Sequence, residues 1–256
     1  MSETKNLSNY DRLNSNDLRR ALMRLPKDVL NTIKDGKLFL AGGYIRASVA
    51  GEVVSDIDIL SPNPKVAEAW AHSLAKSRGA REPWRTKNAL TVSEVGKTPV
   101  QFIHRWVFDD PADIIESFDF TVAQAVIWHE GTTWRSLVSP AFYHDLAAKR
   151  LRYTFPNRHE DAGGSLLRVQ KFIKRGYDIS PEDLAKVIAR LVGGVREDAP
   201  FWQGCEQDRA KILASLLRQV DPLHIIDGIP SDDCLEEPSQ PEITEFDVVT
   251  DAEEWG

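Results

Sequence analysis

The stretch between residues 37 and 60 constrains this chain more than any other. Lys37-Leu38-Phe39-Leu40-Ala41 is a short apolar run that stops at Gly42-Gly43, which predicts a buried strand running into a tight turn. Residues 44–50 suit a short helix. Residues 54–60 read as a second strand, ended by Ser61-Pro62-Asn63-Pro64. Within it, Asp56 and Asp58 alternate with Ile57 and Ile59. Residues i and i+2 of a strand project from one face. The isoleucines therefore turn inward, and the two carboxylates stand side by side out of the core.

Two bare carboxylates at that separation repel, and one takes up a proton unless a cation stands between them. All-oxygen ligation suits Mg²⁺, or Mn²⁺ in its place, with water and substrate phosphates as the remaining ligands. Such a pair can help activate a hydroxyl and stabilise a leaving pyrophosphate. Glycines let backbone N–H groups approach an anion closely where a helix begins. Gly42, Gly43 and Ser55 are thus expected to cradle a phosphate chain. Arg46, one turn into the helix, is expected to pair with a phosphate or brace the carboxylates. Either half alone is commonplace, since Gly-Gly is usually a turn and Asp-x-Asp is often a solvated strand edge. Their conjunction across strand, turn, helix and strand is what points to nucleotide chemistry.

The rest of the chain supplies the frame. Helical periodicity starts near Asn16, is interrupted at Pro26, and resumes through Ile33. A helix is expected over residues 65–78, paired strands over 89–95 and 99–104, a short helix over 111–117 and an apolar strand over 118–128. Helices then dominate, at 140–149, 164–176, 181–193 and 206–220. A mixed sheet with helices followed by helices alone is an α+β pattern, not a doubly wound one. The organisation expected is a flexible N-terminus at 1–15, a sheet domain at 16–138, a helical region at 139–230 and an acidic disordered tail at 231–256. All 32 Lys and Arg lie in residues 1–230 with 29 of the 39 acids, so the body is mildly basic and the net −7 belongs to the tail. No apolar run approaches the roughly 20 residues that span a bilayer. With two cysteines, Cys205 and Cys234, a disulfide framework is not expected, and the N-terminal residues lack a signal-like apolar stretch; these point to a reducing cytoplasm.

Gly42-Gly43-Tyr44-Ile45-Arg46, then nine residues, then Asp56-Ile57-Asp58-Ile59 resembles the signature of the DNA polymerase β-type nucleotidyltransferase superfamily. It is most similar to the head of bacterial tRNA CCA-adding enzymes and poly(A) polymerases, whose pattern is GG-x-V-R-D, a short helix, then D-I-D-I. Asp119-Phe120-Thr121-Val122 resembles the family's D-F-T-I segment. Asp145-Leu146, Lys149 and Leu151-Arg152 resemble its D-L-x-x-K-x-x-R stretch, and Leu166-Leu167-Arg168-Val169-Gln170-Lys171-Phe172 its neck helix. The resemblance implies a palm-type mixed sheet followed by a helical neck and body. It implies transfer of NMP from an NTP to a hydroxyl, with Mg²⁺ and release of pyrophosphate, onto an acceptor that is an RNA 3′ end. It places metal on Asp56 and Asp58 and nucleotide contacts on Gly42, Gly43, Arg46, Ser55, Asp119, Arg168 and Lys171. The superfamily also includes toxin-type and antibiotic-modifying transferases, so a protein or small-molecule acceptor is an alternative. A non-catalytic binding protein that kept the fold is another.

The chain departs from the family at several positions. Ala47 stands where the motif has Asp, Ser117-Phe118 replaces an arginine pair, Glu160-Asp161 are offset from the neck's opening acids, and Ser165 stands where the neck has arginine. Many superfamily members carry a third carboxylate on the strand corresponding to residues 100–104. This chain offers Gln101 there, with Glu94 on the neighbouring strand. Arg168, Lys171 and Arg175 share one face of the expected neck helix, opposite Val169, Phe172 and Ile173. That face reads as a phosphate-binding ridge or as a solvated surface. Asp119 reads as a metal ligand, a ribose contact or a turn cap. His104 is expected to be a satisfied strand-edge residue, and Trp84, Trp106, Trp128 and Trp134 to pack or to stack on bases. The compact size, the motif departures and the acidic tail suit a phage or mobile-element protein.

Overall fold

Local signals start and stop the helices that frame the sheet. The computed structural model describes residues 7–156, 163–220, 225–226 and 229–230. Helix α1 (Ser15–Arg24) is capped by Asn14, whose side chain accepts the Asp17 N–H, and α2 (Lys27–Gly36) resumes beyond Pro26. Then come β1 (Phe39–Ala41), α3 (Gly43–Ala50), β2 (Ile57–Leu60) and α4 (Pro64–Arg78). Helix α4 opens with Pro64 and an Asn63 cap bonded to the Lys65 N–H. Next are β3 (Trp84–Arg85), β4 (Ala89–Val92), β5 (Val100–Ile103), α5 (Pro111–Glu116), β6 (Ala125–Glu130), β7 (Thr133–Val138) and α6 (Phe142–Ala147).

The strands form one mixed seven-stranded sheet in the order β3-β4-β5-β2-β1-β6-β7. β2 runs parallel to β5, and β1 lies antiparallel between β2 and β6. The expected α+β architecture with flanking helices is the one observed. Side-chain alternation divides the sheet into two faces. Ile57, Ile59, Leu90, Val92, Val100 and Phe102 are buried on the face that α4 covers. Phe39, Ala41, Leu60, Val126 and Leu137 occupy the other face and pack with Ile114 and Ile115 of α5. Full burial of each such aliphatic side chain contributes roughly 1.5–3 kcal/mol. On β2 that second face changes character within two residues, from buried Leu60 to half-buried Asp58 and Asp56.

The chain divides into two compact units. The first, Met1–Arg150 with Thr154–Arg158, contains the whole sheet; the second comprises Leu151–Tyr153 and His159–Gly256. The second unit contains α7 (Gly164–Lys174), α8 (Pro181–Gly193) and α9 (Glu206–Val220). Leu191, Val195, Phe201 and Leu216 form a core cluster there. Among the described residues no helix is long and apolar enough to cross a membrane.

Four expectations need correction. The strand expected over 118–128 begins only at Ala125, after a 3₁₀ turn at Thr121–Ala123. Buried polar contacts interrupt the apolar run: Asp119 C=O accepts the Thr154 N–H, and the Thr121 hydroxyl donates to Asp145 Oδ2 at 2.7 Å. β7 is a strand that the sequence reading assigned to no element. Its buried residues are consecutive, Ser136, Leu137 and Val138, and give no period of two. The N-terminal stretch is held from Asp11, which exchanges two backbone hydrogen bonds with Val138, and Leu13 is buried. On α7, Val169 and Phe172 are buried but Ile173 is 53% exposed, so the apolar stripe is narrower than expected. Residues 1–6, Glu160-Asp161, Cys234 and the acidic tail lie outside the described residues.

Candidate functional site

The site is built around one glycine. Gly42 takes φ +71° and ψ −130°, a conformation essentially closed to side-chain-bearing residues, and turns β1 into α3. Its N–H is already donated to Ala125 C=O at 3.0 Å. Its contribution is therefore shape rather than a free donor. A Cβ here would lie 2.9 Å from the Phe118 ring and 4.0 Å from Asp58 Oδ2. The bend and the second aspartate thus face each other across about one atom's width. The amides that open a helix lack intrahelical partners, so Gly43 and its successor are the donors this bend presents.

The sheet register brings the acids together. Asp58 lies opposite Ala41 on β1 and opposite Gln101 on β5. Gln101 Nε2 donates to Asp56 Oδ2 at 3.4 Å, and the Ser55 hydroxyl donates to Asp56 Oδ1 at 2.9 Å. Gln101 is thus a common neighbour of both acids. Asp56 precedes β2 by one residue, so the strand is shorter than the expected 54–60, beginning where the Ile57 N–H reaches Pro99 C=O. The donor set is two half-buried carboxylates, a hydroxyl and an amide. It fits a hard divalent cation that keeps water and phosphate ligands, and it does not amount to a closed protein cage. Among the described residues no group of three or more His, Cys, Asp or Glu side chains is placed to hold a metal. Glu94 pairs with Lys97 at 2.8 Å in the β4–β5 connection.

Arg46 is buried, with Nε 3.4 Å from Glu52 Oε2. Its guanidinium folds back along the bend, with both terminal nitrogens within 3.9 Å of where a Gly43 Cβ would stand. Glu52 is the residue that sequence reading missed. Its only signal was an acid just beyond Gly51, the C-cap of α3, in a chain whose motif acid is replaced by Ala47. From the other side, Arg24 of α1 donates to Ala47 C=O and Glu52 C=O, both at 3.2 Å, and the Tyr44 hydroxyl donates to Ala21 C=O at 2.9 Å. Burial pushes the Tyr44 phenol up to about 12. α3 is therefore held at both ends, by Arg24 at its C-terminal end and by Tyr44 in its first turn.

The remaining site residues are placed differently. Asp119 is buried in the loop before the 3₁₀ turn rather than at the mouth of a strand. Arg168 and Lys171 lie half-buried on α7, in the second unit, and Ser165 is buried there. His104 is satisfied by Thr86 C=O at 3.1 Å.

A family model described as Gabija anti-defense 2 family protein matches residues 12–149. The chain belongs to the Gabija anti-defense 2 family. The match spans more than half of the chain and all seven strands of the sheet. A curated relative, Gabija anti-defense 2 of Bacillus phage SPbetaL7, is 23% identical over 164 residues, covering 64% of this chain and 40% of the relative. Solved structures with similar folds include a CCA-adding enzyme in complex with ATP (TM-score 0.51, 18% identity, 82% of this chain and 50% of that one). An apo CCA-adding enzyme (TM-score 0.51, 17% identity, 84% and 55%) and an apo tRNA-processing enzyme (TM-score 0.50, 18% identity, 84% and 59%) are others. The chain shares its fold with these CCA-adding and tRNA-processing enzymes. The chain spans less than half the length of the curated phage relative and little more than half that of these enzymes.

Proposed function

We propose that the first unit binds a nucleoside triphosphate with a divalent cation and transfers NMP from it to a hydroxyl acceptor. The observation that carries this reading is the approach of Asp58 Oδ2 to the Gly42 bend, with Asp56 beside it. Asp56 and Asp58 would hold Mg²⁺ or Mn²⁺, which when bound supplies Lewis-acid stabilisation of the charge developing on the phosphates. The first amides of α3 bind the polyphosphate, helped by the positive end of the helix. Ser55 orients Asp56 through its hydroxyl, and Glu52 holds Arg46 against the bend. The acceptor oxygen attacks the α-phosphorus, the bond to pyrophosphate breaks, and the acceptor proton leaves to solvent. Asp119 is proposed as a supporting nucleotide contact in this unit, and an RNA 3′ end as the acceptor; in the second unit, Arg168 and Lys171 are proposed as nucleotide-phosphate contacts on α7.

Family membership adds a biological setting: the transfer would serve to counter Gabija defence, as the phage relative's name states for that protein. A second reading is favoured by Gln101, an amide where a third acid would complete a two-metal centre. In it the unit sequesters a nucleotide without transferring it. Incubation of the protein with α-labelled NTPs, Mg²⁺ or Mn²⁺ and total RNA separates the two. Label transfer that disappears in Asp56→Ala and Asp58→Ala supports the enzyme. Metal-dependent NTP binding without transfer supports the second reading, and absence of both overturns the site.

A further inference from the structure

The sheet register extends the site beyond the acids. Asp58 lies opposite Gln101, Gln101 opposite Thr91, and Thr91 opposite Trp84 on the edge strand β3. Directly paired residues of neighbouring strands point to the same face. Asp58, Gln101, Thr91 and Trp84 therefore form one row across four strands, spanning about 14 Å at the usual inter-strand spacing. Exposure along the row supports the assignment. Asp58, Gln101 and Thr91 are half-buried, their strand neighbours Ile57, Leu90 and Phe102 are fully buried on the α4 face, and Trp84 is 47% exposed. Arg85, next to Trp84, pairs with Glu68 of α4, which fixes Trp84 on the face away from that helix.

Trp84 thus presents an aromatic surface at the open end of a polar row. Basic groups gather beside it. Lys87 lies in the β3–β4 connection and is exposed. Arg105 donates to Asn88 Oδ1 in that same connection at 2.9 Å, and its guanidinium lies 4.9 Å from the centre of the Trp106 ring. Aromatic faces interleaved with cations are the combination that holds single-stranded nucleic acid without reading its sequence. The rings stack on bases, and the cations track the backbone.

We propose that the row from Asp58 to Trp84 is the floor of a single-stranded nucleic-acid track, with Trp84 stacking on a base of the acceptor strand. This rests on the transferase reading of Asp56 and Asp58 and gives it an acceptor path. The track leaves the acids toward β3, on the opposite side from the Gly42 bend, so triphosphate and acceptor approach from different directions.

The test measures binding of a fluorescein-labelled uridine 12-mer by anisotropy, alongside Mn²⁺-dependent ATP binding, in wild type, Trp84→Ala and Trp84→Phe. Trp84 is an edge residue, so the fold is expected to survive, and near-wild-type urea midpoints verify it. Trp84→Ala is expected to weaken oligonucleotide binding about tenfold, Trp84→Phe to recover most of it, and ATP binding to be unchanged in both. Oligonucleotide binding equal in wild type and Trp84→Ala overturns the track, whatever the ATP result. Trp84-dependent binding with no Mn²⁺-dependent ATP binding in wild type leaves the surface standing and overturns the transferase reading instead.

Discussion

Replacing Gly42 with alanine separates two costs that the structure makes explicit. The first is conformational: φ +71° with ψ −130° is tolerated by glycine and costs a side-chain-bearing residue about 1–3 kcal/mol. The second is steric. The new methyl would stand 2.9 and 3.0 Å from two carbons of the Phe118 ring, whereas carbon atoms pack at about 3.5–4.0 Å. Phe118 packs against the cluster of Phe39, Leu60, Ile114 and Ile115, so the ring cannot simply swing away. Overpacking of this kind costs about 1–3 kcal/mol. Gly42→Ala is therefore expected to lose roughly 2–6 kcal/mol in urea unfolding. In a cycle with Phe118→Leu, the steric share should disappear in the double variant, giving a coupling of about 1–3 kcal/mol. The conformational share should remain. A Gly42→Ala loss below 0.5 kcal/mol, or additive losses in the cycle, would refute the reasoning.

Three further predictions concern ionisable groups of the first unit. Glu52→Gln removes the Glu52 carboxylate from beside the buried Arg46 charge and should cost roughly 2–4 kcal/mol by urea denaturation, more than the same change at exposed Glu82. The Tyr44 phenol, raised to about 12 mainly by burial, stays protonated in the folded state after the unfolded chain has ionised near pH 10. Stability should thus fall between about pH 10 and 12, by up to about 1.4 kcal/mol per pH unit for this group, and Tyr44→Phe should flatten that limb while losing about 1 kcal/mol at neutral pH with the Ala21 hydrogen bond. The Asp28 carboxyl is held below its usual value of 3.8 by the hydrogen bond from Arg78. Its contribution is complete above the unfolded pKa and fades as pH falls through the lower folded one, so Asp28→Asn should make acid unfolding below about pH 4 less steep.

Much of the central site was legible because its signals are local. A four-residue apolar run, two glycines and alternating Asp and Ile specify strand, bend, helix and strand with almost no help from the rest of the chain. The β4–β5 hairpin was legible, but strand pairing beyond it was not. Nothing local says that β2 runs parallel to β5, and it is this pairing that sets Gln101 beside Asp56 and Asp58 and lines up Thr91 and Trp84 behind it. The Arg46 partner was hidden for a related reason. The family pattern places an acid next in sequence, whereas here Glu52 reaches Arg46 only because α3 ends at Gly51 and the chain folds back to donate the Glu52 N–H to Ala47 C=O. The strand expected over 118–128, of which only the part from Ala125 is strand, shows the limit of apolarity as a signal. Asp119, Thr121 and Gln124 are buried with it, and their hydrogen bonds need a 3₁₀ turn that a continuous ladder would not allow. Arg168 and Lys171 lie on α7 of the second unit, and the sequence could place them on one helix face and no further.

The central claim is that two acids and a glycine bend jointly hold a cation and a polyphosphate. Mn²⁺ titration followed by electron paramagnetic resonance, with and without a non-hydrolysable ATP analogue, measures that joint binding directly. Wild type should bind Mn²⁺ weakly alone and at least tenfold more tightly with the analogue, and Asp56→Asn and Asp58→Asn should each abolish the enhancement while keeping the fold. An enhancement that survives both substitutions, or one that wild type never shows, would contradict the account.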